Sequence, residues 1–174
     1  KAATKKFLVK TGADKDYDPY DHKWQMAIDS NRCIGCGSCV EACKKENLSH
    51  LEHLPQKHYY RTWIERYVQL EDGEFHVESP DAGINGFTSW EINSKYADEE
   101  ITKSFFVPKL CNQCEKPPCV QVCPVAATYQ TDDGIVLVNR DKCIGCRYCI
   151  QACPYGARYL DPDEHVADKC TWCY

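Results

Sequence analysis

Apolar positions along this chain come in short alternating bursts, several of which run straight into a cysteine-rich stretch. Tyr59 to Val68 is aromatic and β-branched and predicts a strand; Glu71-Asp72-Gly73-Glu74 is a turn signal, and Phe75-His76-Val77 predicts the return strand of a hairpin. Gln25-Met26-Ala27-Ile28-Asp29 and Gly134-Ile135-Val136-Leu137-Val138-Asn139 each predict a short strand. Ser79 to Gly86 reads as loop and Asp98-Glu99-Glu100 as a solvated face. Residues 1–23 are polar and mixed in charge and are expected to form an arm that gains order on a partner. The most apolar stretch, Lys103 to Leu110, holds two lysines, a serine and a proline. A membrane helix needs roughly 18 or more consecutive apolar residues, so no direct membrane span is expected.

Fourteen cysteines fall into four groups. The first (Cys33, Cys36, Cys39, Cys43) and third (Cys143, Cys146, Cys149, Cys153) share the spacing C-x2-C-x2-C-x3-C, the run that holds iron–sulfur clusters in bacterial ferredoxins. Superposing Cys33 on Cys143 also aligns Arg32 with Lys142, Ile34-Gly35 with Ile144-Gly145, Val40 with Ile150 and Ala42 with Ala152, which marks an internal duplication. The expected unit is a strand, a ligand loop and a short helix begun around the fourth cysteine. Gly35 and Gly145 stand between ligands, where the backbone must bend tightly and a Cβ would obstruct it. The second group (Cys111, Cys114, Cys119, Cys123) has a longer middle loop stiffened by Pro117-Pro118. The fourth is Cys170 and Cys173.

A cubic four-iron centre needs four thiolates, of which one tight loop supplies three, and in two-cluster units the fourth crosses from the other group. Reciprocity then assigns Cys143, Cys146 and Cys149 with Cys123, and Cys111, Cys114 and Cys119 with Cys153. Pro124 and Pro154 redirect the chain directly after the crossing cysteines, whereas Lys44 follows Cys43. By the same rule Cys33, Cys36 and Cys39 need a fourth thiol, and Cys170, Cys173 and Cys43 need another. Both are expected beyond Tyr174, giving two fully liganded 4Fe-4S clusters in this chain and up to four in a full-length one. Zinc at the C-x2-C pair and a disulfide framework are the alternatives.

At 174 residues the chain suits one domain with an insertion, and its 43% apolar content includes fourteen cysteines and eleven tyrosines. The organic core is therefore expected to be thin, and metal insertion to be coupled to folding. The formal charge of −5 argues against nucleic acid as a partner. His50, His53 and His58 are read as polar surface or interface residues, and Trp24, Trp63, Trp90 and Trp172 as packing anchors. No nucleophile motif, phosphate loop or H-E-x-x-H is present, so the chain is expected to be non-catalytic by itself.

Arg32-Cys33-Ile34-Gly35-Cys36, Lys109 through Cys119, Cys143 through Arg158 and Lys169 through Cys173 together resemble the four-cluster iron–sulfur subunit of the dimethyl-sulfoxide-reductase superfamily. That superfamily includes subunits of formate dehydrogenases and of polysulfide and tetrathionate reductases, and it extends to a related nitrite-reductase protein. The resemblance implies an α+β fold of duplicated bacterial-type ferredoxin units, two 4Fe-4S clusters to each, with a β-rich insertion. The implied plan is an arm (1–23), a first cysteine motif (24–43), the insertion (44–110), a central two-cluster unit (111–160) and the start of a fourth motif (161–174). It further implies a molybdopterin- or tungstopterin-type catalytic subunit and a membrane quinone-reactive or cytochrome subunit as partners. The chain would then sit peripherally on the cytoplasmic membrane, on its periplasmic face. A free-standing polyferredoxin carrier is the alternative, separated by whether the insertion and arm dock a partner.

Overall fold

The computed structural model describes residues 18, 20–51, 59–79 and 100–174; His53, His58, Trp90 and most of the 1–23 arm lie outside the described residues. Among the described residues, seven strands and three α-helices follow in chain order: α1 (Ser38–Asn47), β1 (Trp63–Leu70), β2 (Phe75–Glu78), β3 (Ile101–Lys109), α2 (Pro118–Gln121), β4 (Thr128–Gln130), β5 (Val136–Val138), α3 (Tyr148–Gln151), β6 (Arg158–Leu160) and β7 (Ala167–Lys169).

The longest strands form an antiparallel sheet in the order β2-β1-β3. Tyr67 pairs with Val77 on one side and Phe105 on the other, and the Tyr67 and Phe105 rings stack at 5.3 Å. Glu71 to Glu74 closes the β1–β2 hairpin, with Gly73 at φ +85 in the left-handed region that glycine tolerates. One face of β1 is buried through Ile64 and Val68, and Ile64 packs with Tyr60 and with Val40 of α1. The most apolar stretch of the sequence is therefore β3, and no helix among the described residues is long and apolar enough to cross a membrane.

The rest of the fold is two small antiparallel hairpins, β4–β5 and β6–β7. Each begins five residues after a Cys-Pro step, since Cys123-Pro124 precedes Thr128 as Cys153-Pro154 precedes Arg158. The apolar interior is correspondingly divided: Val136 and Ala167 pack with Cys119 and Cys149, while Leu48, Leu51 and Tyr159 form a separate cluster.

Buried charge ties these pieces together. Asp161, fully buried, accepts from the backbone N–H groups of Asp163 and Glu164, from Arg140 at 2.8 Å, and faces His50 at 2.9 Å. Burial alone would push its carboxyl up; the Glu164 amide, His50 and Arg140 outweigh it and bring the group down to about 2. Asp168 accepts from the Tyr159 hydroxyl at 2.6 Å and from Arg61 at 3.0 Å, and Arg61 also reaches Asn47 at the end of α1. His50 is exposed, as expected of a polar surface residue, but its ring also faces the buried Asp161 carboxylate, which the sequence did not suggest.

Three expectations are corrected. Gln25–Asp29 does not form a strand. Its counterpart β5 pairs with β4, whereas no neighbouring strand among the described residues completes a ladder with Gln25–Asp29; Trp24 N–H donates to Asp133 O instead. Trp24 is correspondingly no packing anchor, being 54% exposed, while Trp63 is buried as expected. The short helices begin one residue before the third cysteine, not around the fourth. An x3 spacing is one helical turn, so the third and fourth thiols of a group share a helix face only when the turn starts at the third.

Candidate metal centres

The ligand loops follow directly from local backbone chemistry. Asp29 and Asn139 cap equivalent one-turn 3-10 segments, their side chains accepting from Asn31 N–H and Lys142 N–H, and each segment delivers a cysteine, Cys33 or Cys143, in extended conformation. Gly35 and Gly145 then turn left-handed at φ +69 and +66. Next, Gly37 and Arg147, also left-handed, start the helices that carry Cys39 and Cys149. In the second group Pro117 precedes α2 and Pro118 is its first residue, where a missing N–H costs nothing. The two-residue excess between Cys114 and Cys119 is thereby absorbed as a rigid loop.

Cys111, Cys114, Cys119 and Cys153 line one small cavity together with Arg158. Burial pushes the Cys114 and Cys119 thiols up, and the charges of Cys111 and Cys153 add to it. Cys43 and Cys173 come together on Asn47, whose side-chain amide lies 3.7 and 3.8 Å from the two sulfurs. Burial pushes Cys170 up as well, and the Cys43 charge adds to that shift. Cys33, Cys36 and Cys39 form a more open set in which desolvation, then Cys33 and Cys36, push Cys39 up, while Ser38 holds Cys36 below the usual thiol range. Cys143 and Cys149 share the apolar cluster of Val136 and Ala167. Cys123 accepts from the backbone N–H groups of Ala127 and Thr128 at 3.2 and 3.5 Å, which bring its thiol down against burial. Among the described residues, no group of three or more His, Cys, Asp or Glu side chains converges on a point suited to a single metal ion. A lone zinc ion needs thiolates about 2.3 Å from one centre; four thiols around a void suit a polynuclear one.

The chain matches the 4Fe-4S dicluster domain over residues 102–174 and the 4Fe-4S binding domain over residues 24–45. It is 40% identical over 152 residues to a tetrathionate reductase subunit of Salmonella typhimurium, covering 87% of this chain and 48% of that protein. It is 39% identical over 153 residues to a polysulfide reductase protein of Wolinella succinogenes, covering 87% and 63%. With a thiosulfate reductase electron transfer subunit of Salmonella typhi the identity is 36% over 152 residues, again covering 87% and 63%. The chain therefore carries two 4Fe-4S domains, over residues 24–45 and 102–174. It spans about half the length of the first curated relatives it matches, 48% and 55%.

Several residues that serve these 4Fe-4S domains are invisible to cysteine spacing. Gln113, between Cys111 and Cys114, donates to Cys170 O at 2.9 Å, and Trp172, between Cys170 and Cys173, donates to Cys111 O at 3.1 Å. This reciprocal pair locks the second and fourth groups together. Gln113 and Trp172 are both left-handed, at φ +46 and +59. Their position between paired cysteines was the available signal. Lys169 is buried with its ammonium 2.6 Å from Cys170 O. Burial pushes it below the usual lysine range; Cys111 pulls it up, Arg158 pushes it further down, and Cys170 and Cys119 pull it up. Backbone N–H groups also reach sulfur at Cys143 from Ala167 and at Cys170 from Trp172. Such donors stabilise thiolate ligands and tune the potential of a bound centre.

Proposed function

We propose that the chain is a non-catalytic electron-transfer subunit. It passes single electrons through 4Fe-4S clusters between a molybdopterin- or tungstopterin-type catalytic subunit and a membrane quinone-reactive or cytochrome partner. The observation that carries this reading is the cavity in which three thiols of one group meet the last thiol of another, Cys153. Electron transfer and membership of a larger complex are supported by the relatives, which are named as parts of reductases, one of them as an electron transfer subunit.

The centres are assigned to Cys111, Cys114, Cys119 with Cys153; Cys143, Cys146, Cys149 with Cys123; Cys33, Cys36, Cys39; and Cys43 with Cys170 and Cys173. Bound clusters supply one-electron chemistry at a potential set by charge, hydrogen bonds to sulfur and exposure. The residues of this chain hold the thiolates in place through left-handed turns and short helices, aim amide N–H groups at sulfur, and keep the ligands of the buried centres away from water. Cys36, Cys39, Cys146 and Cys173 are exposed, which suits points where electrons enter or leave. Residues 111–160 are read as the central two-cluster ferredoxin unit, one of two duplicated ferredoxin units. The β1–β3 sheet is read as an insertion within 44–110 that docks a neighbouring subunit. The complex is read as peripheral on the periplasmic face of the cytoplasmic membrane.

Anaerobically purified chain is expected to contain iron and acid-labile sulfide and to be reduced in one-electron steps. A colourless protein carrying only zinc overturns the reading. Co-purification with a pterin-containing subunit separates a complex member from a free-standing carrier, which would be isolated alone.

A further inference from the structure

Arg158 and Lys169 are 3% and 1% exposed, and neither pairs with a carboxylate among the described residues. Arg158 Nη1 donates to the Thr128 hydroxyl at 3.2 Å, and its Nη2 is buried without a hydrogen-bond partner. Lys169 Nζ donates to Cys170 O and lies 3.5 Å from the Gln113 side-chain oxygen. A buried cation without a counter-charge carries a heavy desolvation cost, and a guanidinium keeps its charge in proteins. Elsewhere the fold meets this cost with carboxylates: Arg61 has Asp168, and Arg140 has Asp161. Beside Arg158 there are thiols instead, since it lines the cavity of Cys111, Cys114, Cys119 and Cys153.

The repeated hairpins supply an internal control. Thirty residues before Cys153-Pro154, Cys123-Pro124 opens the same segment, so that Thr128 at the start of β4 stands where Arg158 starts β6. One centre therefore has a buried cation at a position where its pseudo-symmetric counterpart has a hydroxyl. A cluster with four thiolates is a net anion that gains a further charge on reduction, so a fixed cation beside it favours the reduced state.

We propose that Arg158, assisted by Lys169, is the counter-charge of the centre held by Cys111, Cys114, Cys119 and Cys153. It sets that centre's reduction potential above that of the centre held by Cys123, Cys143, Cys146 and Cys149. This assignment rests on the electron-transfer reading above, and it makes the Arg158 centre the preferred resting place of an electron within the 111–160 unit.

The test is a redox titration followed by electron paramagnetic resonance on the cluster-loaded full chain, with iron and sulfide measured first. The relevant couple is identified as the one that Cys114→Ser removes. Arg158→Gln is expected to shift this couple toward the oxidised form at least tenfold, about 59 mV for one electron, while the couple removed by Cys146→Ser stays in place. Arg158→Lys is expected to restore most of the shift. If Arg158→Gln fails to load, Lys169→Gln decides, with a shift in the same direction expected. A loaded variant with an unmoved couple overturns this assignment alone; a wild-type chain without iron and sulfide overturns the electron-transfer reading beneath it.

Discussion

The ligand loops Cys33–Cys43 and Cys143–Cys153 share one backbone and leave it in different directions. Both turn left-handed at the glycine after the first cysteine and again just before the helix, at Gly37 and Arg147. Past the fourth cysteine they part. Lys44 lets α1 run ten residues to Asn47, burying Val40 against Ile64 and placing the Asn47 amide near the Cys43 and Cys173 sulfurs. Pro154 follows a four-residue helix and sends the chain into the β6–β7 hairpin. Cysteine spacing specifies the loop, and the residue after the last thiol specifies what the loop is attached to.

The comparison breaks most completely when metal is removed. Cys119 and Cys149 are themselves part of an apolar cluster, so stripping iron with a chelator is expected to unfold both loops and the hairpins. The β1–β3 sheet, whose core uses no cysteine, should persist longest; amide hydrogen exchange reads the difference.

Gly145→Ala is the next largest effect. An added Cβ would meet the backbone carbonyl of His165 at a left-handed φ, combining a conformational cost of about 1–2 kcal/mol with overpacking of about 1–3 kcal/mol. Gly35→Ala, also at a left-handed φ, meets first the Phe106 ring, with a nearest approach of 2.6 Å. Phe106→Leu should therefore relieve Gly35→Ala and leave Gly145→Ala unchanged, as a double-mutant cycle of melting temperatures would show.

Lys44→Pro imposes the third loop's exit on the first. It is expected to cost about 3 kcal/mol and to withdraw Asn47 from Cys43 and Cys173 while the loop at Cys143 keeps its form, as amide exchange would resolve. The smallest change sharpens the likeness: Arg147→Gly, matching Gly37, removes a left-handed non-glycine residue and should stabilise the loaded chain by about 1 kcal/mol, seen as a raised melting temperature.

How much of this was legible in the sequence depends on how local each feature is. The two left-handed glycines, the β1–β2 hairpin and the β5 strand follow from short-range pattern, and the four thiols that reciprocity proposes to group, Cys111, Cys114, Cys119 and Cys153, line one cavity. The strand at Gln25–Asp29 failed because alternation specifies a face, while a strand also needs a partner. The helices start one residue before the third cysteine because left-handed Gly37 and Arg147 precede them, and residue type did not announce that turn at Arg147. The carboxylates Asp161 and Asp168, the Gln113–Trp172 lock and the buried Arg158 have partners distant in sequence. In sequence the charged ones are ordinary polar residues, and only tertiary burial gives them a role.

The crossing of thiols between groups is tested most directly by the electron paramagnetic resonance spectrum of cluster-loaded Cys153→Ser, set beside those of Cys114→Ser and Cys146→Ser. Loss of the signal that Cys114→Ser removes is the predicted result. Loss of the signal that Cys146→Ser removes, from the same loop as Cys153, would contradict the account.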